Sequence, residues 1–167
     1  QIDRRVLIYK DDLISDCFMN RRLSYFIYKF LFYINILYKI ITKKDLLAWF
    51  KEFIENDSYI TIKILDKSIT FFAPNNILKW RVNTFFTKEP ETLDWIDSFE
   101  QNKKIIFWDI GANVGLYSIY TAIKHPNSDI TCFEPSTSNL RILSRNLSIN
   151  KYENKIKIFQ IHLSDKE

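Results

Sequence analysis

When residues 18–44 are wound at 3.6 residues per turn, Arg21, Ser24, Lys29, Asn35, Lys39, Thr42 and Lys43 fall within an arc of roughly 140°. Phe, Tyr, Ile and Leu fill the rest of that surface. The spacing predicts a long helix, and one so broadly apolar must be covered by something. Two covers remain open: the rest of a longer protein, or a membrane interface or partner met by aromatic rings and a basic stripe. A shorter helical pattern follows over 45–54.

From Ser58 the period changes to two. Tyr59-Ile60-Thr61-Ile62-Lys63-Ile64 and Ser68-Ile69-Thr70-Phe71-Phe72, joined by Leu65-Asp66-Lys67, predict a β-hairpin. A loop through Pro74-Asn75-Asn76 leads to Lys79-Trp80-Arg81-Val82. Glu89-Pro90-Glu91-Thr92 then opens a helix whose body is 93–99, since Pro and acids suit a first turn.

Beyond Gln101 strands and helices alternate. Strands are expected at 105–110, 130–133 and 156–163, and helices at 114–124 and 137–150. His125-Pro126-Asn127-Ser128 makes a turn between the first helix and the second strand. Such alternation with short connections implies right-handed crossovers and a parallel sheet. The expected fold class is therefore α/β: the N-terminal half of a Rossmann-like, doubly wound parallel sheet, preceded by a β-hairpin and a helical N-terminal arm. The arm is assigned to 1–57 and the hairpin with its cofactor-binding half-domain to 58–167. No internal repeat is visible.

Composition narrows the class. The 167 residues are 47% hydrophobic and 26% charged, with 14 Phe, 9 Tyr and 4 Trp, which excludes a disordered chain. Of the net charge of +4, residues 1–44 carry +5 and the remainder −1, so the main body offers no basic face for nucleic acid. Cys17 and Cys132 are too few for a disulfide framework or a zinc site and read as reduced thiols in a cytoplasmic protein. No window of 18 uncharged apolar residues exists, which leaves the arm at most membrane-associated. The chain starts at Gln1-Ile2-Asp3 without a signal pattern and ends directly after a strand pattern. It reads as truncated at both ends, more seriously at the second.

The only two glycines, Gly111 and Gly115, both lie in Asp109-Ile110-Gly111-Ala112-Asn113-Val114-Gly115. A chain this sparing of glycine has concentrated it in one strand-to-helix turn, where positive φ and close backbone approach to a ligand are needed. Asn113 also enters the left-handed region cheaply. The turn exposes helix N-terminal amides at the carboxyl edge of the sheet. The P-loop lysine is absent, and the spacing is not Gly-x-Gly-x-x-Gly. Asp109 would repel a phosphate but could receive an ammonium group. Glu134 ends the next strand, near the offset at which an acid meets ribose hydroxyls. An acid, a glycine turn and a second acid suit a ligand with a cationic amino-acid tail and a ribose, which is S-adenosylmethionine.

Phe107-Trp108-Asp109-Ile110-Gly111-Ala112-Asn113-Val114-Gly115-Leu116-Tyr117-Ser118, Cys132-Phe133-Glu134-Pro135-Ser136, Asn146, Asn150 and Leu163-Ser164-Asp165 together resemble the FkbM family of methyltransferases, in the class I S-adenosylmethionine-dependent group. The likeness covers roughly residues 60–167, including the lead-in Lys88-Glu89-Pro90-Glu91-Thr92-Leu93-Asp94-Trp95-Ile96. It implies that Asp109, Gly111, Ala112, Asn113 and Gly115 line the methionine moiety. It implies that Glu134 binds the ribose, and that Asp165, with Ser164 beside it, meets the adenine amine. It further implies methyl transfer to a nucleophile, usually a hydroxyl, on a small-molecule acceptor such as a sugar. No catalytic base, metal site or oligomeric state is indicated.

The remaining features have plainer readings. Cys132 suits a buried small side chain, and His125 and His162 are given no catalytic role. Asn146-Leu147-Ser148 is discounted as a glycosylation acceptor because it lies in a helix. Glu89 and Thr92 could touch ligand or simply cap. Two other functions stay in view: a non-catalytic interaction or membrane-associated module on the same fold, and a dinucleotide-dependent oxidoreductase.

Overall fold

The structure, a computed structural model, describes residues 4–101 and 103–161, with side chains from Asn20 onward. The chain divides into two compact units, Gln1–Ile54 and Glu55–Glu167.

In the first unit, α1 runs Arg4–Thr42 and α2 runs Leu46–Asn56. The helix thus begins well before residue 18, where the apolar pattern sets in. No Gly or Pro interrupts the preceding residues, so nothing stops the backbone from winding further. Lys43, at φ 60°, ends α1, and Asp45 Oδ1 caps α2 by accepting from Ala48 N at 3.2 Å. Asn35 belongs to the polar arc but is buried. Its Nδ2 donates to Asp45 Oδ1 at 3.1 Å and its Oδ1 accepts from Leu47 N at 3.0 Å, so this side chain fixes the helix reversal. The Asn35 bond, aided by Lys39, holds the Asp45 carboxyl below its usual range.

The second unit opens with the expected hairpin, β1 (Tyr59–Ile64) against β2 (Lys67–Phe72), in the register Ile64↔Lys67 to Tyr59↔Phe72. Ile64, Ile69 and Phe71 enter the core. The backbone of β2 is bound by side chains of α7 (Thr137–Ile149) and its cap. Asn146 Oδ1 accepts from Phe72 N at 2.7 Å, and Asn150 both accepts from Thr70 N at 3.0 Å and donates to Thr70 O at 2.8 Å. Two asparagines one helical turn apart therefore pair with β2 where another strand would.

Asn75 caps α3 (Asn76–Asn83) by accepting from Leu78 N at 2.9 Å. This helix carries Arg81, to which the sequence pattern assigns no element. Next come α4 (Phe85–Lys88) and α5 (Pro90–Asp97), the latter with Pro in its first turn as expected.

The sheet is parallel, in the order β3 (Ile106–Ile110), β4 (Asp129–Phe133), β5 (Ile156–Phe159), with α6 (Leu116–Lys124) and α7 as the crossovers. This is one winding of a Rossmann-like α/β fold. Phe107, Ile130, Cys132 and Ile156 share a core with Ile119 of α6 and Leu143 and Leu147 of α7. Each such burial is worth about 1.5–3 kcal/mol for a large aliphatic side chain. The opposite face carries Trp108, Phe133 and Phe159 as a row of ring contacts at 5.4 and 5.9 Å. β5 is shorter than expected, its ladder ending at Phe159.

Candidate functional site

The register Asp109↔Cys132 and Ile110↔Phe133 brings the ends of β3 and β4 together, and the bend after β3 is pinned there. Gly111 N and Ala112 N both donate to Phe133 O, at 2.8 and 3.2 Å. Asn113 N donates to Glu134 Oε2 at 2.8 Å. Gly111, Asn113 and Gly115 have φ of 76°, 52° and 87°, so alternate residues sit in the left-handed region. The two glycines serve different ends. A Cβ on Gly115 would lie 2.7 Å from Leu143 Cδ1, so α6 can approach α7 only without one. A Cβ on Gly111 would meet nothing within 4 Å, so there the backbone borders open space.

Asp109 lies beside the N-terminus of α6, where both the hydroxyl and the amide of Ser118 donate to its carboxylate. These bonds and the helix dipole favour the charged form. Burial outweighs them, with the negative charge of Glu134 adding to it, and the Asp109 carboxyl is raised above its usual range. Ser118 Oγ also lies 2.9 Å from Cys132 Sγ, and burial pushes that thiol up to about 12.

Glu134 is 3% exposed. Besides the Asn113 amide, its carboxylate accepts from Ser136 N at 2.9 Å and Asn139 Nδ2 at 3.3 Å. It joins the turn to the start of α7.

Above the turn is a cleft of about 270 Å³ bordered by Asp109, Gly111, Ala112 and Asn113 on one side and Arg81, Glu89 and Tyr117 on the other. Glu89 makes no capping bond to α5. Its Oε1 pairs with Lys88 Nζ at 2.6 Å and its Oε2 accepts from Tyr117 Oη at 2.8 Å. The Lys88 and Tyr117 bonds hold Glu89 below the usual carboxylate range, while burial and the bond to Glu89 raise Tyr117. Asn113 Oδ1 and Arg81 Nε are shielded from solvent and have no hydrogen-bond partner among the described residues.

Of the residues singled out from sequence, Asp109, Gly111, Ala112 and Asn113 border the cleft. Gly115 lies behind it against α7, and Glu134 is beneath the bend without bordering the cleft. Ser164, Asp165 and His162 lie outside the described residues. His125 is buried, with Nε2 2.8 Å from Ile96 O. No sequence signal assigns a role to Arg81, Lys88 or Tyr117, although Lys88 and Tyr117 stand in the stretches that carry the family likeness. The Asn75 cap is the one signal that would have set Arg81 on a helix.

The chain is 43% identical over 56 residues to Methyltransferase sdnD of Sordaria araneosa, a match covering 34% of this chain and 22% of the relative. It is 41% identical over 59 residues to the AMB antimetabolite synthetase AmbE of Pseudomonas aeruginosa, covering 35% of this chain and 3% of that one. The chain thus spans under a quarter of the length of these curated relatives. Among solved structures it is similar to the C-terminal domain of precorrin-6Y C5,15-methyltransferase from Rhodobacter capsulatus. That likeness has 17% identity and a TM-score of 0.39 over 46% of this chain and 40% of that one. No family model matches.

Proposed function

We propose that this chain is the cofactor-binding half of an S-adenosylmethionine-dependent methyltransferase of the FkbM type, acting on a hydroxyl of a sugar or other small compound. The observation that carries the reading is the bend itself. Three alternating left-handed residues sit between two acids, with open space over Gly111. The similarity to Methyltransferase sdnD of Sordaria araneosa supports it.

The residues present fit such a ligand. Gly111 leaves room for close approach, the unbonded Asn113 Oδ1 offers an acceptor, and Asp109 supplies a carboxylate for an ammonium group. Glu134 is buried beneath the bend and accepts three donors within the chain, so its part is to hold the backbone on which the ligand rests. S-adenosylmethionine, when bound, supplies an electrophilic methyl group on a sulfonium. The chain's own part is to orient that ligand: the bend sets the backbone, Asp109 holds the tail, Glu134 braces the bend, and Tyr117 with Glu89 closes the far wall. Positioning of this kind accounts for much of the rate of a bimolecular transfer. Isothermal titration tests the reading. S-adenosylhomocysteine should bind at micromolar concentration and NAD should not; NAD binding alone would favour a dinucleotide enzyme, and no binding a non-catalytic module.

The same reading sets the enzyme in the cytoplasm, where Cys132 stays a thiol, and gives its arm an anionic membrane surface as partner. Residues 18–44 hold six Lys and Arg and no acid, and Phe26, Phe30, Tyr33 and Leu37 are exposed among them. No helix among the described residues is long and apolar enough to cross a membrane. Co-sedimentation with phosphatidylserine vesicles but not with phosphatidylcholine vesicles is expected. Equal recovery with both, or self-association without lipid, would overturn this part.

A further inference from the structure

The cleft contains a guanidinium whose Nε has no hydrogen-bond partner among the described residues. Arg81 projects from the last turn of α3 into the space that Asp109, Gly111 and Tyr117 also border. Its Nε is shielded from water and has no hydrogen-bond partner among the described residues, while its charge helps to hold the Glu89 carboxyl below the usual range. A buried donor left unpaired costs about 1–3 kcal/mol, so a protein seldom leaves one without a use.

The neighbouring charges do not supply the missing partner. Glu89 is the nearest candidate, but both its oxygens are engaged, one by Lys88 and the other by Tyr117. Lys88 is in turn held over the Trp80 ring, 5.6 Å from its centroid. Asp109 is engaged by Ser118. The acids of the cleft are bonded by Ser118, Lys88 and Tyr117, and the Nε of Arg81 has no hydrogen-bond partner among the described residues. That polarity suits a zwitterion: an ammonium group towards the carboxylates, and a carboxylate on Arg81.

We infer that Arg81 is the receptor for the carboxylate of an amino-acid-bearing ligand, gripping both oxygens with its planar fork while the glycine turn holds the other end. The inference rests on the methyltransferase reading and adds to it the residue that recognises the α-carboxylate of the cofactor's methionine tail. Guanidinium suits the task because its rigid fork matches a carboxylate in two parallel bonds, which an ammonium cannot do.

Two ligands that differ in the tail make the test. S-adenosylhomocysteine has the amino-acid end, and 5′-methylthioadenosine keeps the nucleoside and sulfur without it. Titrations of the full chain, of Arg81→Met and of Arg81→Lys, with thermal melts to confirm folding, should show one pattern. Arg81→Met loses at least ten-fold in affinity for S-adenosylhomocysteine, its affinity for methylthioadenosine stays within two-fold, and Arg81→Lys recovers part of the loss. Unchanged S-adenosylhomocysteine binding in Arg81→Met overturns the inference, and so does an equal loss for both ligands, which would mean that Arg81 supports the cleft wall instead. If Arg81→Met fails to fold, Arg81→Lys decides, since a bidentate site must still lose several-fold for the tailed ligand alone. Should the unaltered protein bind neither ligand, the methyltransferase reading fails and takes this inference with it.

Discussion

Glu134 accepts the amide hydrogen of Asn113 at 2.8 Å, so the acid that ends β4 holds the bend that follows β3. The two strands are register neighbours, and the bend cannot open without losing this bond. One carboxylate thereby shapes the floor of the cleft from below.

Glu134→Gln keeps the size of the side chain but turns its NH2 towards one of two groups that are themselves donors, Asn113 N at one oxygen position or Ser136 N at the other. The expected cost is about 1–3 kcal/mol in a urea titration. A loss of at least ten-fold in S-adenosylhomocysteine affinity should accompany it. Wild-type stability and affinity together would show that the bond does not shape the site.

Asp109 pays for its position in stability. Burial raises its carboxyl, so its contribution to folding is complete below the ordinary carboxylate value and is lost as pH rises through the raised one. Asp109→Asn does not titrate. Its melting temperature should therefore exceed that of the unaltered protein at pH 7, and the gap should close as pH falls below the ordinary carboxylate range. Ligand affinity should fall at least ten-fold, because the negative charge that faces the ammonium group is gone. Thermal melts across pH check the first statement and titration the second.

The two glycines should separate in the same way. Gly111→Ala meets only backbone strain, about 1–2 kcal/mol, because nothing lies near the new methyl group. Its main effect should be lost ligand binding in a folded protein. Gly115→Ala carries the same strain and also drives a methyl into fully buried Leu143, for about 2–4 kcal/mol in all. Urea titration of both variants reads the difference.

Much of this was legible in the sequence, for identifiable reasons. The sheet strands are apolar runs closed by turn residues, and the scarcity of glycine marked the bend without structural help. The parts missed have local causes. The eight residues of α3 are too few for a clear helical period, and only its asparagine cap distinguishes it from a loop. The wall of the cleft was invisible because it is made by Tyr117 meeting Glu89 across 28 positions, which no spacing rule connects. Asn146 read as part of a family likeness and a discounted glycosylation signal. Its physical role, binding Phe72 N at 2.7 Å and Val114 O at 3.0 Å, exists only once the hairpin lies on α7.

That role makes Asn146 a strong structural position. Asn146→Ala strands a backbone amide on the hairpin and a carbonyl in the turn, for an expected loss of about 2–5 kcal/mol. Asn146→Asp keeps the acceptor for Phe72 N but turns a carboxylate oxygen towards the Val114 carbonyl at a fully buried position, and should be destabilised at pH 7 in a urea titration.

The central claim is that the glycine bend is where the adenosyl ligand binds, and the chain's composition allows this to be read directly. Its two glycines are Gly111 and Gly115, so protein labelled with ¹⁵N-glycine gives two amide resonances, both from the bend. Saturating S-adenosylhomocysteine should shift both, Gly111 the more strongly, while NAD leaves them in place. Resonances that stay unmoved at saturation would contradict the account.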